Sequence, residues 1–306
     1  MRFQPALLAF GLVVLCLGAL AGFYYWHERR IGTPEAMVAC LPPREATLLY
    51  VDVDALRRAG ILELLAGSKA TEDLEYKTFV EATGFDYRRD LDSVAASFAS
   101  DGTYLVVKGR FAWRQLSRYS KEHGGRCVNG FCIAPSSTPD RYASFYALKK
   151  NTMALAFARD EFAAGTITTR GRQPGDPLPQ QPIWVSVPGA ALRKIADLPT
   201  GTHSFATALS GADKIVFSAG PEQDHLQVQM TVSCATPEAA SQLALRLDNI
   251  TDLLRKMVTL ENQTPNASDL SGVLAAGTFQ TIGSTVYGRW PVQRAFLDAV
   301  AGGSLN

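Results

Sequence analysis

One phrase occurs twice in this chain, and it constrains the fold more than any other feature. Tyr50-Val-Asp-Val runs into Ala55-Leu-Arg-Arg, and Trp184-Val-Ser-Val runs into Ala191-Leu-Arg-Lys. An alternating apolar strand that leads directly into a basic helix is a supersecondary unit, so its recurrence predicts two copies of one plan. A strand pair follows each copy, at 94–98 with 103–107 and at 214–219 with 226–232. Leu226, Val228, Met230 and Val232 alternate with Gln227, Gln229 and Thr231, as a half-buried strand requires. Each pair is followed by a helix, at 113–123 and at 237–258.

The second of these helices has a complete set of start signals: Thr236 to cap it, Pro237 for its first position and Glu238 for its positive end. Ala240, Leu243, Leu247, Ile250, Leu254 and Met257 step by three and four onto one face, which suits cover for a sheet. An additional helix is predicted around 72–82, ended by Gly84. The phrase Val107-Lys-Gly-Arg-Phe is echoed by Val286-Tyr-Gly-Arg-Trp, each read as a strand end turning into a helix, the second at 291–300.

Residues 170–182 hold Pro174, Pro177, Pro179 and Pro182 together with Gly171 and Gly175. Proline removes backbone donors and fixes φ, so this stretch reads as a linker. The expected architecture is α+β. An N-terminal transmembrane helix within 1–30 precedes a first lobe at 40–170, a linker at 171–182 and a second lobe at 183–306. Each lobe is a mainly antiparallel sheet covered by helices in a βαββα-type repeat.

The transmembrane expectation rests on the uncharged run from Ala6 to Trp26. As a helix it spans roughly 31 Å at about 1.5 Å per residue, close to the hydrocarbon thickness of a bilayer. Tyr24, Tyr25 and Trp26 close it with rings suited to the lipid–water interface. Ala19-Leu-Ala21 also fits a signal-peptidase pattern, so cleavage after Ala21 and release is the alternative. The positive-inside count, Arg2 against Arg29 and Arg30 with Glu28, is close to a tie.

Cysteine usage places the bulk of the chain outside the cytoplasm. Cys16 lies in the apolar run, leaving Cys40, Cys127, Cys132 and Cys234, an even count that fits an oxidising compartment. Between Cys127 and Cys132 lies Val128-Asn-Gly-Phe131, and Asn-Gly is the strongest two-residue hairpin signal. The turn sets Cys127 opposite Cys132 as a non-hydrogen-bonded pair about 4.5 Å apart at Cα, within the reach of a disulfide. So short a loop is expected to stabilise by only about 1–2 kcal/mol. Cys40 and Cys234 remain as the second candidate pair.

The composition, 47% hydrophobic and 19% charged, is that of a globular chain rather than a disordered one. A net charge of +1 and the lack of a long basic run exclude nucleic-acid binding through a basic face.

Leu41-Pro-Pro, Tyr50-Val-Asp-Val and Gly109-Arg-Phe-Ala-Trp113 resemble segments of a family of uncharacterised bacterial exported proteins with an N-terminal anchor. The resemblance covers about residues 41–160 and implies export, with no enzyme activity, ligand or cofactor.

Chemical constellations are sparse. Asp52 and Asp54 share a strand face and suit a metal, although Asp54, just before a helix, reads better as its N-cap. His123, Cys127 and Cys132 have zinc-compatible spacing but no fourth ligand nearby, and a histidine at a helix end favours the dipole without any metal. His203-Ser204 and His225 lie near Asp213 and Asp224 in sequence, without the G-x-S-x-G elbow of a serine hydrolase. Arg110 and Arg289, from the Gly-Arg echo, are a candidate ligand pair that reads more simply as solvated turn arginines. The expectation is a protein held at the inner (plasma) membrane through 6–26, with an extracytoplasmic bulk that binds or scaffolds. It has no catalytic residues, no cofactor and no metal, and an envelope protein is a candidate partner. A divergent envelope hydrolase and an obligate subunit of an envelope complex are the alternatives.

Overall fold

The computed structural model describes residues 33–43, 45–62, 74–169, 177–192, 200–222, 225–260, 270–293, 295–296 and 299. The expected membrane helix at 6–26 lies outside them. Among the described residues, no helix is long and apolar enough to cross a membrane.

The chain opens with α1 (Pro34–Cys40), β1 (Thr47–Asp52) and α2 (Val53–Arg58). Next come α3 (Leu74–Thr83), the short α4 (Tyr87–Asp90), and the hairpin of β2 (Leu91–Ala99) and β3 (Gly102–Gly109). After α5 (Trp113–Glu122) there are four strands: β4 (Arg126–Val128), β5 (Phe131–Pro135), β6 (Tyr142–Lys149) and β7 (Thr152–Ala158). Beyond residues 170–182 follow β8 (Ile183–Pro188), α6 (Gly189–Leu192), α7 (Thr200–Leu209), β9 (Lys214–Glu222) and β10 (His225–Ser233). The last elements are α8 (Pro237–Leu260), α9 (Leu270–Ala275), β11 (Thr278–Ile282) and β12 (Thr285–Val292).

All the described strands belong to one twelve-stranded sheet in the order β11-β12-β10-β9-β8-β1-β2-β3-β7-β6-β5-β4. The sheet continues across the Pro/Gly-rich boundary, because β1 pairs antiparallel with β8 through Leu48↔Ser186 to Val51↔Ile183. Outward from that junction the order is β1-β2-β3-β7-β6 on one side and β8-β9-β10-β12-β11 on the other. The hairpin β4–β5 extends the first side only.

Strand alternation sorts the residues onto two faces. One face carries Val51, Val94, Val107 and Met153, and continues across the junction through Ile183, Ala219, Val228 and Trp290. On the second side, Met230, Val232 and Ile215 from this face pack with Ala240, Leu243 and Leu247 of α8. The α8 helix is therefore sheet cover, with Thr236 Oγ1 accepting from the Ala239 N–H at 3.2 Å. On the first side, the opposite face carries Tyr50, Ala95, Val106 and Ala154, which pack with Met37 of α1 and with Trp184.

Two local expectations are corrected. The cap of α2 is Asp52, whose Oδ1 accepts from the Ala55 N–H at 2.8 Å, rather than Asp54. Asp54 lies inside the helix and pairs with Arg57 at 2.9 Å and Arg58 at 3.3 Å. The Gly-Arg echo is also not one structural position. Gly109 ends β3, whereas Gly288 and Arg289 lie within β12, which stays extended through Val292 where a helix was expected to begin. A Cβ at Gly288 would lie 3.0 Å from Met230 and Trp290, a tight contact.

Candidate functional site

Among the described residues, those singled out from sequence do not assemble into a metal or catalytic centre. Asp52 is committed to its cap and Asp54 to its arginines. Arg110 is held by Asp90, and β3 and β12 stand six strand spacings apart, roughly 29 Å at about 4.8 Å each. Among the described residues, no three His, Cys, Asp or Glu side chains group closely enough to hold a metal ion. The side chains of His203 and His225, and the whole of Asp224, lie outside the described residues.

Cys127 and Cys132 are joined, with Sγ–Sγ 2.03 Å and Cα–Cα 4.0 Å, in the Cys127↔Cys132 register of the β4–β5 hairpin. The turn between them has Asn129 at φ 51° and Gly130 at φ 83°, the positive values that an Asn-Gly hairpin turn demands. Cys40 and Cys234 are both free, which corrects the second pairing. They belong to different cores: Cys40 packs with Met37 and Tyr50 under the first side, and Cys234 lies against the α8 core of the second.

The disulfide hairpin rests on α5. Both sulfurs lie 3.6 Å from Ser117, one near its carbonyl and the other near its hydroxyl. The chain leaves α5 through His123, whose Nδ1 lies 2.8 Å from Tyr119 O and whose ring stacks on Tyr119 at 3.9 Å. Gly125 then passes so close to the helix that a Cβ would meet Ser120 Oγ at 2.5 Å and Ile133 O at 2.6 Å.

Between this helix and the sheet lies the candidate site, a cavity of about 690 Å³. Its floor is sheet: Val94, Leu105, Val107, Phe145, Leu155 and Phe157. Its roof is α5, through Leu116, Tyr119 and Ser120, with Phe79 of α3 beside it. Of the apolar lining, Val107, Leu116 and Met153 are buried, while Phe79, Leu91, Val94, Leu105, Phe145 and Leu155 are partly buried around them. Native interiors pack densely and leave few voids larger than a water molecule. Unfilled apolar space of this size, lined by half-covered large side chains, is the form that small-molecule sites take.

The two ends of the cavity differ. At the first end Phe85 stacks on Phe111 at 5.3 Å, beside Leu91. That end is pinned by Asp90, whose carboxylate accepts from Arg110 Nε at 3.1 Å and from the Asp86 N–H at 3.0 Å. Burial pushes the Asp90 pKa up, but the hydrogen bonds from Arg89, the Asp86 N–H and Arg110 outweigh it and hold it down to about 2. The second end lies below the last turn of α5 and gathers Ser120, His123 and Ser137. Ser120 is 4% exposed, and its Oγ is buried without a hydrogen-bond partner.

Sequence reasoning singled out His123, but for zinc, and it missed the floor, because β6 and β7 were not read as strands. The alternation of Met153, Leu155 and Phe157 with Ala154, Ala156 and Ala158 was the available signal.

No family model matches this sequence, and no curated protein matches it. Among solved structures, crystal form I of TP0453 is similar with a TM-score of 0.51 at 10% identity, covering 88% of this chain and 98% of that one. Crystal form III of the same protein gives 0.50 at 9%, covering 87% and 98%. At such identity the likeness shows the fold alone.

Proposed function

We propose that this chain is a membrane-tethered, extracytoplasmic binding protein that holds an apolar ligand between α5 and the sheet. The observation that carries this reading is the cavity of about 690 Å³ floored by half-buried Leu105, Phe145, Leu155 and Phe157. Burying those side chains against a ligand stabilises by about 25 cal/mol per Å² of apolar surface removed from water. The uncharged run at 6–26 supports the tether, and the Cys127–Cys132 bridge supports an oxidising compartment. The two sides of the sheet are read as copies of one unit, of which the first has acquired the β4–β5 hairpin and, with it, the cavity.

Purification of the full-length chain from its membrane, followed by solvent extraction and mass spectrometry, tests the reading. About one apolar molecule per chain is expected in the wild type. Leu155→Trp, which fills the cavity, should reduce it at least fivefold while the Cys127–Cys132 bridge still forms. Equal recovery from both proteins, or none from either, would overturn the proposal.

A further inference from the structure

Resting on the tether in that reading, we infer that the first side of the sheet docks on the bilayer surface. The contact is an apolar patch of Val128, Phe131 and Phe162, on the face opposite the cavity.

The patch follows from the register of the disulfide hairpin. Side chains along a strand alternate between faces. The Cys127 and Cys132 sulfurs point at Ser117 of α5, so the neighbouring pair Val128↔Phe131 points the other way. Phe131 continues the register row of Tyr146, Ala154, Val106 and Ala95, the face on which α1 packs. Its ring stacks on Tyr146 at 5.7 Å and meets Phe162 at 6.0 Å, just before the turn Ala163–Thr166. That turn is fixed to the sheet: the Ala164 N–H donates to Ser144 Oγ at 3.1 Å, and the Tyr146 hydroxyl donates to Ile167 O at 2.5 Å. The bridge fixes the hairpin in the same way. Even so, Val128 is 65% exposed and Phe162 56% exposed. Large apolar side chains held in water where two elements meet mark a surface that is covered in use.

The length of chain before α1 decides what covers it. Six residues, His27 to Gly32, separate Trp26 at the end of the apolar run from Thr33, the cap of α1. Fully extended, six residues reach about 22 Å, so the start of α1 stays within that distance of the bilayer. Helix α1 lies on the same face as the patch and adjoins its supporting turn, since the Thr168 N–H donates to Cys40 O at 3.1 Å. A folded domain of about 100 residues has a radius of gyration of about 13 Å and is wider than that gap. Lipid headgroups fit it, and an aromatic and aliphatic cluster suits the boundary between headgroups and acyl chains. Charge is balanced around the patch. Arg126, on the same face of β4, pairs with Glu161 at 2.6 Å, and Asp160 follows Arg159. The contact is therefore apolar rather than electrostatic, and a zwitterionic lipid is sufficient for it.

Lipid photolabelling of the full-length chain tests this. The chain is placed in phosphatidylcholine vesicles that contain a phosphatidylcholine with a diazirine high on one acyl chain. Peptides holding Val128 to Phe131 and Phe162 should carry the label. Leu245, Leu253 and Ile282, comparably exposed on the second side, should not. Val128→Ser together with Phe162→Ser should reduce the patch label at least fivefold while the Cys127–Cys132 bridge still forms, and Phe162→Trp should retain it. A vesicle-bound chain whose patch takes no label, or no more than Leu245 and Ile282 take, would overturn the docking while leaving the tether and the cavity reading standing. A full-length chain that does not co-float with the vesicles would remove the tether itself, and the docking with it.

Discussion

Tyr50 on β1 and Trp184 on β8 stack with ring centroids 5.7 Å apart, directly opposite each other in the strand register where the two sides of the sheet meet. Trp184 is fully buried, and Tyr50 is 3% exposed. The proline-rich stretch separates the two sides along the sequence, but these rings and the β1–β8 hydrogen bonds join them in space. Burial pushes the Tyr50 hydroxyl up to about 12, so the ring stays neutral throughout the ordinary pH range.

Trp184→Ala should therefore destabilise by about 3–5 kcal/mol, the usual cost of deleting a buried aromatic. The loss should appear in both sides at once. Chemical denaturation followed by Trp113 fluorescence on one side and Trp290 fluorescence on the other should give coincident transitions in the wild type and in the variant. A variant in which only one reporter shifts would mean that the junction does not couple them.

The cysteines are predicted to behave in two classes. Non-reducing peptide mapping should recover Cys127 linked to Cys132, while Cys40 and Cys234 alkylate as free thiols, Cys40 only after unfolding because it is 3% exposed. Replacing both hairpin cysteines by serine should cost no more than about 2 kcal/mol, because the closed loop is short. A Cys40–Cys234 link would contradict their placement in separate cores.

Asp90 should make the cavity region acid-sensitive. Its carboxyl is held at about 2 in the folded chain, below the ordinary value of 3.8, so its contribution is fully present above about pH 4. It is lost as the pH falls from about 4 toward 2. The carboxylate is 9% exposed but its arginines are 65% exposed and screened, which limits the contribution to about 1–2 kcal/mol. Asp90→Asn should lower stability at neutral pH by that amount and flatten the acid limb of a stability-versus-pH curve. An unchanged acid limb would show that the Arg110 contact does not stabilise the fold.

Much of this chain was legible as sequence because the signals were local. The alternation in 226–232 and the apolar stripe of 237–258 require only the periods of a strand and a helix. The Asn129-Gly130 turn set the Cys127–Cys132 register by itself, since Asn-Gly favours the two positive φ values of a tight two-residue hairpin turn. The exchange of roles between Asp52 and Asp54 marks the limit of such reading: whether a residue ends a strand or begins a helix depends on where its neighbours pair. What only the tertiary structure decided is non-local. Nothing near Tyr50 in the sequence specifies Trp184 as its partner, and nothing near Leu155 reveals that it borders a space that protein atoms leave unfilled. The cavity exists because α3 and α5 meet a floor of strands from four separate segments. Its apolar side chains look like ordinary core in sequence, since a half-covered leucine and a buried one have the same chemistry until the packing around them is known.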